Sequence, residues 1–176
     1  MVNIIKDLFG RYMKYIDWVT NREELKSYSL EEFDQDDGSI YGFMVLKLGD
    51  FSLGFISSAV ETSDGDEDIS FYVDQLIKCG ISLLKGDMFS VGLLNSNLLE
   101  IRVHLDKSVI VEVHDMQCNI SIYTYILSLD GFISEIKSAY MKYIDDVKKI
   151  NESILQSKLI CNTSALYENF LKTLES

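Results

Sequence analysis

The sequence predicts a single α+β domain over residues 1–176, with helices packed on an antiparallel sheet of about six strands. Three observations favour this fold class. The length of 176 residues is typical of one domain. Near both ends and in mid-chain, apolar residues recur at helical spacing. Between these stretches lie short alternating segments separated by turn residues, a pattern that favours strands joined in sequence.

The first predicted element is an amphipathic helix over residues 3–18, where apolar side chains recur every three or four positions. The polar and acidic residues 21–39 follow, and we expect mostly loop there. Ser29 and Glu32 have the spacing of a capping box, which predicts one short helical turn inside this loop.

A hairpin is predicted next, formed by residues 40–48 and 51–59 around a two-residue turn. Gly49 suits the positive φ that the first central position of a type II′ turn requires. This turn places Leu46 opposite Leu53, so that the two strands share one apolar face.

A mid-chain helix is predicted over residues 69–85, and Gly86 is the residue expected to end it. Four strands follow: 88–94, 98–105, 109–116 and 119–127. We expect a three-residue turn at 106–108, because it places Val103 opposite Val111. A two-residue turn would instead pair apolar residues with charged ones.

In the last of these strands isoleucines occupy one face, and Tyr123 and Tyr125 lie on the other. The tyrosine face is either covered by a helix or displayed for a partner. We expect a helix to cover it, because long helices occur on both sides of this strand in the sequence. Two carboxyl-terminal helices complete the prediction. The first covers residues 132–150, and the second is capped by Thr163 or Ser164.

Charge restricts the class of partner. The chain has 16 Lys and Arg against 28 Asp and Glu, a formal net charge of −12. A strongly negative surface repels nucleic acids and anionic membranes and attracts a basic partner. The sequence has no secretory signal pattern and no run approaching the ~18 apolar residues of a membrane span. We therefore expect a cytoplasmic protein.

The patterns of known active and metal sites do not occur. The three cysteines are scattered and form no CxxC pair. His104 and His114 lie on one face of the predicted sheet beside Glu100 and Glu112, without a third convergent ligand, and we interpret this as an ordinary polar face. Nucleophile-elbow and phosphate-loop patterns are also missing. We expect a binding protein without catalytic residues, metal or cofactor, rather than an enzyme.

The order of the elements resembles a known group of proteins. An acidic loop precedes Ile69–Leu76, which opens a helix; a strand meander follows, and Leu129–Phe132 opens another helix. This order, over residues 40–147, is similar to that of small cytoplasmic immunity proteins of bacterial toxin systems, notably the WapI-like group and contact-dependent growth inhibition immunity proteins. Those families share no functional residues, so the resemblance implies a function without assigning a site.

The resemblance implies stoichiometric inhibition: the protein binds a cognate toxin domain, often a nuclease, and blocks its active site or substrate path. A nuclease presents a basic groove to phosphates, and an acidic surface is complementary to such a groove. We therefore place the contact on the two acidic stretches. Its predicted residues are Glu31, Glu32, Asp34, Asp36, Asp37, Asp64, Asp66, Glu67 and Asp68.

An alternative reading is an acidic, dimeric type III secretion chaperone that binds an extended effector segment along apolar grooves. Such chaperones are similar in size, charge and α+β class, although the four-strand meander and the long helical tail depart from their pattern. The sequence leaves open whether the protein is a monomer or a homodimer.

Overall fold

Two four-stranded antiparallel sheets and four α-helices make up the fold in the computed structural model, which describes residues 16–20, 23–54, 67–92 and 98–176. In chain order, the strands are β1 Ile16–Val19, β2 Tyr41–Leu48, β3 Phe51–Gly54, β4 Glu67–Asp68, β5 Phe89–Gly92, β6 Leu99–Leu105, β7 Val109–Asp115 and β8 Ile120–Leu127. The helices are α1 Leu30–Gln35, α2 Ile69–Leu84, α3 Leu129–Asn151 and α4 Lys158–Glu175. The predicted α+β class is therefore confirmed.

β2 is the central strand of the first sheet. β1 and β3 flank it, in the order β1-β2-β3, and the two residues of β4 pair with its first two residues. The predicted hairpin register is confirmed, because Leu46 lies opposite Leu53, and Gly49 in the turn has a φ of 60°. Residues 55–59 of the predicted second strand lie outside the described part of the chain.

β1 lies where the last residues of the amino-terminal helix were predicted. Residues 16–18 are strand, so the prediction is wrong there, and residues 3–15 lie outside the described ranges. Trp18 pairs with Met44 of β2, and its indole nitrogen donates to Asp146 Oδ2 on α3 at 3.1 Å. Pairing with β2 and burial of the indole favour a strand, and these tertiary contacts override the local helical spacing.

The second sheet is the predicted meander, in the order β5-β6-β7-β8. Val103 lies opposite Val111, which confirms the three-residue turn. The prediction of one sheet of about six strands is wrong, because the β2–β3 hairpin belongs to a separate sheet. Its tip meets β8 through side chains: the Phe51 and Tyr123 rings stack with centroids 4.8 Å apart. Apolar patterning specifies which face of a strand is buried, not which neighbour it pairs with.

Hydrogen bonds at the helix ends explain where α2 and α3 start and stop. Asp68 caps α2 by accepting the Phe71 N–H at 2.9 Å. Gly86, with a φ of 84°, ends α2 as predicted, through backbone hydrogen bonds of the type found in Schellman motifs. α3 begins three residues before the predicted start, because the Ser128 hydroxyl accepts the Gly131 N–H and caps the helix.

α4 begins well before its predicted caps. Ser157 caps it by accepting the Ile160 N–H at 3.3 Å, so the assignment of Thr163 or Ser164 as the cap is wrong. Thr163 is instead buried inside the helix and donates to Asp74 Oδ1 on α2 at 2.7 Å. A hydroxyl residue near a predicted helix start fits either role, and only the packing against α2 distinguishes them.

α2 lies at the centre of the molecule, in contact with β2, β5 and β6 and with α3 and α4. Its Gly80 permits close helix packing, because a Cβ there would lie 2.5 Å from Ile136 Cδ1 and 2.8 Å from the Phe170 ring. Buried residues from both sheets and all four helices form one apolar core. This core fixes the start of β2 and of α2, where the acidic residues are found.

Candidate protein-binding surface

The first acidic stretch folds into α1 and the turn that follows it. The predicted capping box is present: Ser29 Oγ accepts the Glu32 N–H at 3.2 Å, and Glu32 Oε2 accepts the Ser29 N–H at 2.8 Å. These hydrogen bonds stabilise the carboxylate and lower the pKa of Glu32. Only Phe33 of this helix is buried, so the acidic side chains point to solvent.

The residues after α1 hold their carboxylates in defined positions. Asp34 Oδ1 accepts the Lys158 N–H at the start of α4, at 3.1 Å. Asp36 Oδ2 accepts the Tyr28 hydroxyl at 3.3 Å, and its negative charge raises the pKa of that tyrosine.

The prediction of mostly loop between residues 21 and 39 is only partly correct, since a 3₁₀ helix, Glu23–Ser27, and α1 occupy much of this segment.

Asp37 connects the first acidic stretch to β2. It has a positive φ of 73°, and its Oδ1 accepts the Ser39 N–H at 2.8 Å. Its Oδ2 accepts the Tyr41 hydroxyl at 2.7 Å, and this hydrogen bond raises the pKa of Tyr41 to about 12. Two hydrogen bonds fix the orientation of this carboxylate, which lowers the entropy that binding a cationic group would cost.

The second acidic stretch ends in β4, which pairs with the first two residues of β2. Glu67 and Asp68 form β4, and burial raises the pKa of both carboxyl groups. Asp68 Oδ2 accepts the Ser39 hydroxyl at 3.2 Å, while its other oxygen caps α2. The remaining predicted residues of this stretch, Asp64 and Asp66, lie outside the described ranges.

The start of β2 therefore brings Asp37 of the first acidic stretch and Asp68 of the second together through Ser39. We call this surface the acidic end; its described members are Glu31, Glu32, Asp34, Asp36, Asp37, Glu67 and Asp68. Among the described residues, no lysine or arginine forms an ion pair with any of the five carboxylates that α1 and its turn contribute. No cation in the described part of the chain therefore neutralises these five carboxylates.

The histidines of the second sheet offer no comparable chemistry. His104 Nδ1 lies 4.0 Å from Glu112 Oε2, and the Ser121 hydroxyl donates to Glu112 Oε1 at 2.8 Å. The serine thus bonds to a carboxylate rather than to a histidine base, which is not the order of a nucleophilic triad. His114 is buried beside Asn119. In the described ranges, no three His, Cys, Asp or Glu side chains converge as metal ligands.

An apolar cavity of about 90 Å³ lies between the two sheets, α2 and α3. Its walls include Met44 and Leu46 from β2 and Val103 and Val111 from the second sheet. Glu135 reaches it as well, but its carboxylate accepts the backbone N–H of residue 16 at 2.9 Å. Gln75 and Glu135 are the polar residues of its lining, so the cavity does not present the several convergent polar groups that catalysis requires.

Sequence reasoning missed the surface of β8. In the described part of the chain, the tyrosine face is covered by the β2–β3 hairpin and not by the expected helix: Phe51 stacks on Tyr123, and the Gly49 turn lies against the Tyr123 hydroxyl and the Tyr125 ring. The isoleucines on the opposite face are exposed: Ile122 by 46% and Ile126 by 63%. A strand without a single charged residue was the available sequence signal.

Comparison with known proteins finds no match for this chain at the level of a family model, a curated protein or a solved structure. Within the residues that the structure describes, no helix has the length and apolar composition that crossing a membrane requires.

Proposed function

We propose that this protein is an immunity protein, which binds a cognate toxin domain with a basic surface, such as a nuclease, and neutralises it by blocking. One observation carries the proposal: Asp37 and Asp68, 31 residues apart in sequence, converge at the acidic end through the hydrogen bonds of Ser39 and Tyr41. The fold thus concentrates negative charge from two separate segments on one surface.

Electrostatics links this surface to the proposed partner. A toxin that cleaves nucleic acid needs lysines and arginines in its groove, and those cations are attracted to a surface that is rich in carboxylates. The attraction accelerates encounter and raises specificity against neutral or acidic proteins. Carboxylates already oriented by Tyr28, Tyr41 and Ser39 lose little further freedom on binding, and this favours a long-lived complex.

The first test is a rescue experiment. The carboxyl-terminal domain encoded immediately upstream of the gene is expressed in bacteria with and without this protein, and growth and complex formation are followed. We expect growth arrest that co-expression abolishes, and a one-to-one complex that weakens in salt. Absence of both toxicity and complex contradicts the proposal.

A charge-reversal pair locates the contact. The double variant Glu31→Lys, Asp36→Lys reverses charge at the acidic end, and Asp145→Lys, Glu168→Lys makes the same change in net charge on the exposed faces of α3 and α4. We expect the first variant to slow association at low salt by roughly tenfold or more and to flatten its salt dependence, and the second to change it far less. Equal effects would move the interface away from the acidic end.

The exposed isoleucines of β8 favour one alternative, an acidic dimeric type III secretion chaperone that binds an effector segment. An extended segment requires apolar contacts, which the acidic end does not offer. Two results together would support the chaperone hypothesis. The protein would fail to rescue growth, and it would bind an unfolded effector segment in a complex that salt does not weaken.

A further inference from the structure

The cavity between the two sheets has an inner surface that is apolar almost throughout. Its volume is about 90 Å³. Leu46 and Leu48 line it from β2, and Val103 and Val111 line it from the second sheet. Phe132 of α3 contributes an aromatic ring to the same lining. The core therefore contains a space of molecular size whose walls are made of hydrocarbon groups.

Water is a poor occupant of this cavity. Its volume exceeds the roughly 10–15 Å³ that one water molecule needs, but a buried water also needs about two to four polar partners. Glu135 is the charged residue of the lining, and its carboxylate already accepts the Ile16 N–H at 2.9 Å. Water inside the cavity would lack hydrogen bonds, whereas apolar atoms there would supply the dispersion contacts that a closely packed core provides.

Size and charge define the class of ligand that fits. An engineered apolar cavity of roughly 150 Å³ stays dry and binds benzene or xenon. The volume of about 90 Å³ is smaller, so the ligand must be smaller than benzene. Charged ligands are disfavoured, because a charge that leaves water for an apolar wall loses its hydration. The net charge of −12 and Glu135 in the lining disfavour anions further.

The lining changes from buried to half-buried near α2 and the first strands of the second sheet. Leu46 and Val111 are buried, whereas Leu76 of α2, Phe89 of β5 and Ile101 of β6 are half-buried. α2 contacts both β5 and β6. Side chains that solvent reaches change rotamer more easily than buried ones. A ligand therefore has its easiest entry between α2 and these two strands.

We infer that this cavity is a binding site for a small uncharged aliphatic molecule that is smaller than benzene. Such a ligand contacts β2 and the second sheet at the same time, and it thereby stabilises the packing of two separate sheets against each other. The driving force is the removal of hydrocarbon surface from water together with the dispersion contacts that the lining gains. The site does not depend on the proposed function.

The test compares 2-methylpropane with 2-propanol, two molecules of nearly the same shape that differ by a methyl group in place of a hydroxyl. Methyl NMR spectra of the full chain follow Leu46, Val103 and Val111 during titration with each molecule. We expect 2-methylpropane to shift these signals with a Kd on the order of 1 mM. 2-Propanol should bind at least about tenfold more weakly, because its hydroxyl leaves water without gaining a partner. Absence of shifts with 2-methylpropane, or equal affinity for both molecules, overturns the inference.

A matched pair of variants locates the ligand. Val111→Ile adds a methylene group inside the cavity and should weaken the binding of 2-methylpropane by about fourfold or more. Val113→Ile adds the same group to a buried residue of the same strand that does not line the cavity, and it should leave the affinity within about twofold. Circular dichroism checks that each variant is folded. Unchanged binding by Val111→Ile means that the ligand lies elsewhere.

If either variant does not fold, cysteine reactivity of the wild type decides instead. Cys79 is buried and lines the cavity, whereas Cys118 and Cys161 are exposed and serve as internal controls. 2-Methylpropane at its Kd should slow the alkylation of Cys79 by iodoacetamide about twofold, because the ligand stabilises the native state in which this thiol is buried. The rates of the two exposed thiols should not change. An unchanged rate for Cys79 overturns the inference.

Discussion

β2 and β8 are strands of eight residues each, largely apolar and free of proline, yet β2 is mostly buried and β8 is mostly exposed. β2 lies between two neighbours and buries six of its eight residues, although it carries Lys47. β8 has no charged residue, is the last of the described strands of its sheet and buries only Leu127. The comparison shows that position in the sheet, rather than composition, decides which strand stabilises the fold and which is displayed.

The largest expected effect tests this difference directly. Phe43→Ala in β2 should lower the free energy of unfolding by about 3–5 kcal/mol, because it leaves a cavity at a side chain that is 1% exposed. Ile126→Ala in β8 should change it by no more than about 0.5 kcal/mol. Urea unfolding in dilute solution measures both. Similar losses would mean that β8 is as deeply integrated in the core as β2.

A glycine pair makes the same comparison for the backbone. A Cβ at Gly42 in β2 would lie 2.3 Å from the Val19 carbonyl oxygen of β1. Gly42→Ala should therefore destabilise the fold by about 1–3 kcal/mol, since β1 must move away. At Gly92 in the edge strand β5, an added Cβ meets no atom within 4 Å, and Gly92→Ala serves as the control with little effect. Equal melting temperatures for the two variants would refute the close approach of β1.

The acidic end offers a smaller effect that depends on pH. Asp68→Ala removes the cap of α2 and should cost about 1 kcal/mol, whereas Asp68→Asn keeps a capping oxygen. Burial raises the pKa of Asp68, so the folded state favours the protonated carboxyl, and stability from this group is lost as pH rises through that pKa. The free energy of unfolding of Asp68→Asn should therefore increase relative to that of the wild type as pH rises above about 4. If the free energies of unfolding of the two proteins depend on pH in the same way, this prediction is wrong.

The smallest expected effect concerns the cavity that separates β2 from the second sheet. Val111 lines it, and Val111→Ile adds a methylene that should raise stability by up to about 0.8 kcal/mol. Val113 is fully buried and does not line the cavity, so Val113→Ile should instead overpack the core and lower stability. A gain for both variants, measured by thermal unfolding, would mean that the packing is loose throughout the second sheet.

Local patterns predicted the elements whose determinants are close in sequence. Gly86 ends α2, the 106–108 turn pairs Val103 with Val111, and Ser29 caps α1, because each depends on residues a few positions apart. Such features follow from backbone conformation and cross-strand pairing alone.

The failures arose where distant residues decide. Trp18 belongs to a strand because it pairs with β2 and because its indole nitrogen donates to Asp146. Thr163 is a buried donor because its acceptor, Asp74, lies on the neighbouring helix. The acidic stretches were located from composition, but their convergence depends on the pairing of β4 with β2. Likewise, alternation in β8 predicted two faces without indicating that the hairpin would cover the tyrosines.

The connectivity of the two sheets also sets the order in which they assemble. Among the strands that the structure describes, β5 to β8 pair with strands adjacent in the chain, so the meander closes short loops and forms at low entropic cost. β1 pairs with β2 across more than twenty residues, and α4 reaches α2 from the far end of the chain. We expect the meander to belong to the folding transition state and α4 to dock after it. Substitutions in β6 and β7 should accordingly slow refolding, whereas substitutions at Thr163 should mainly accelerate unfolding.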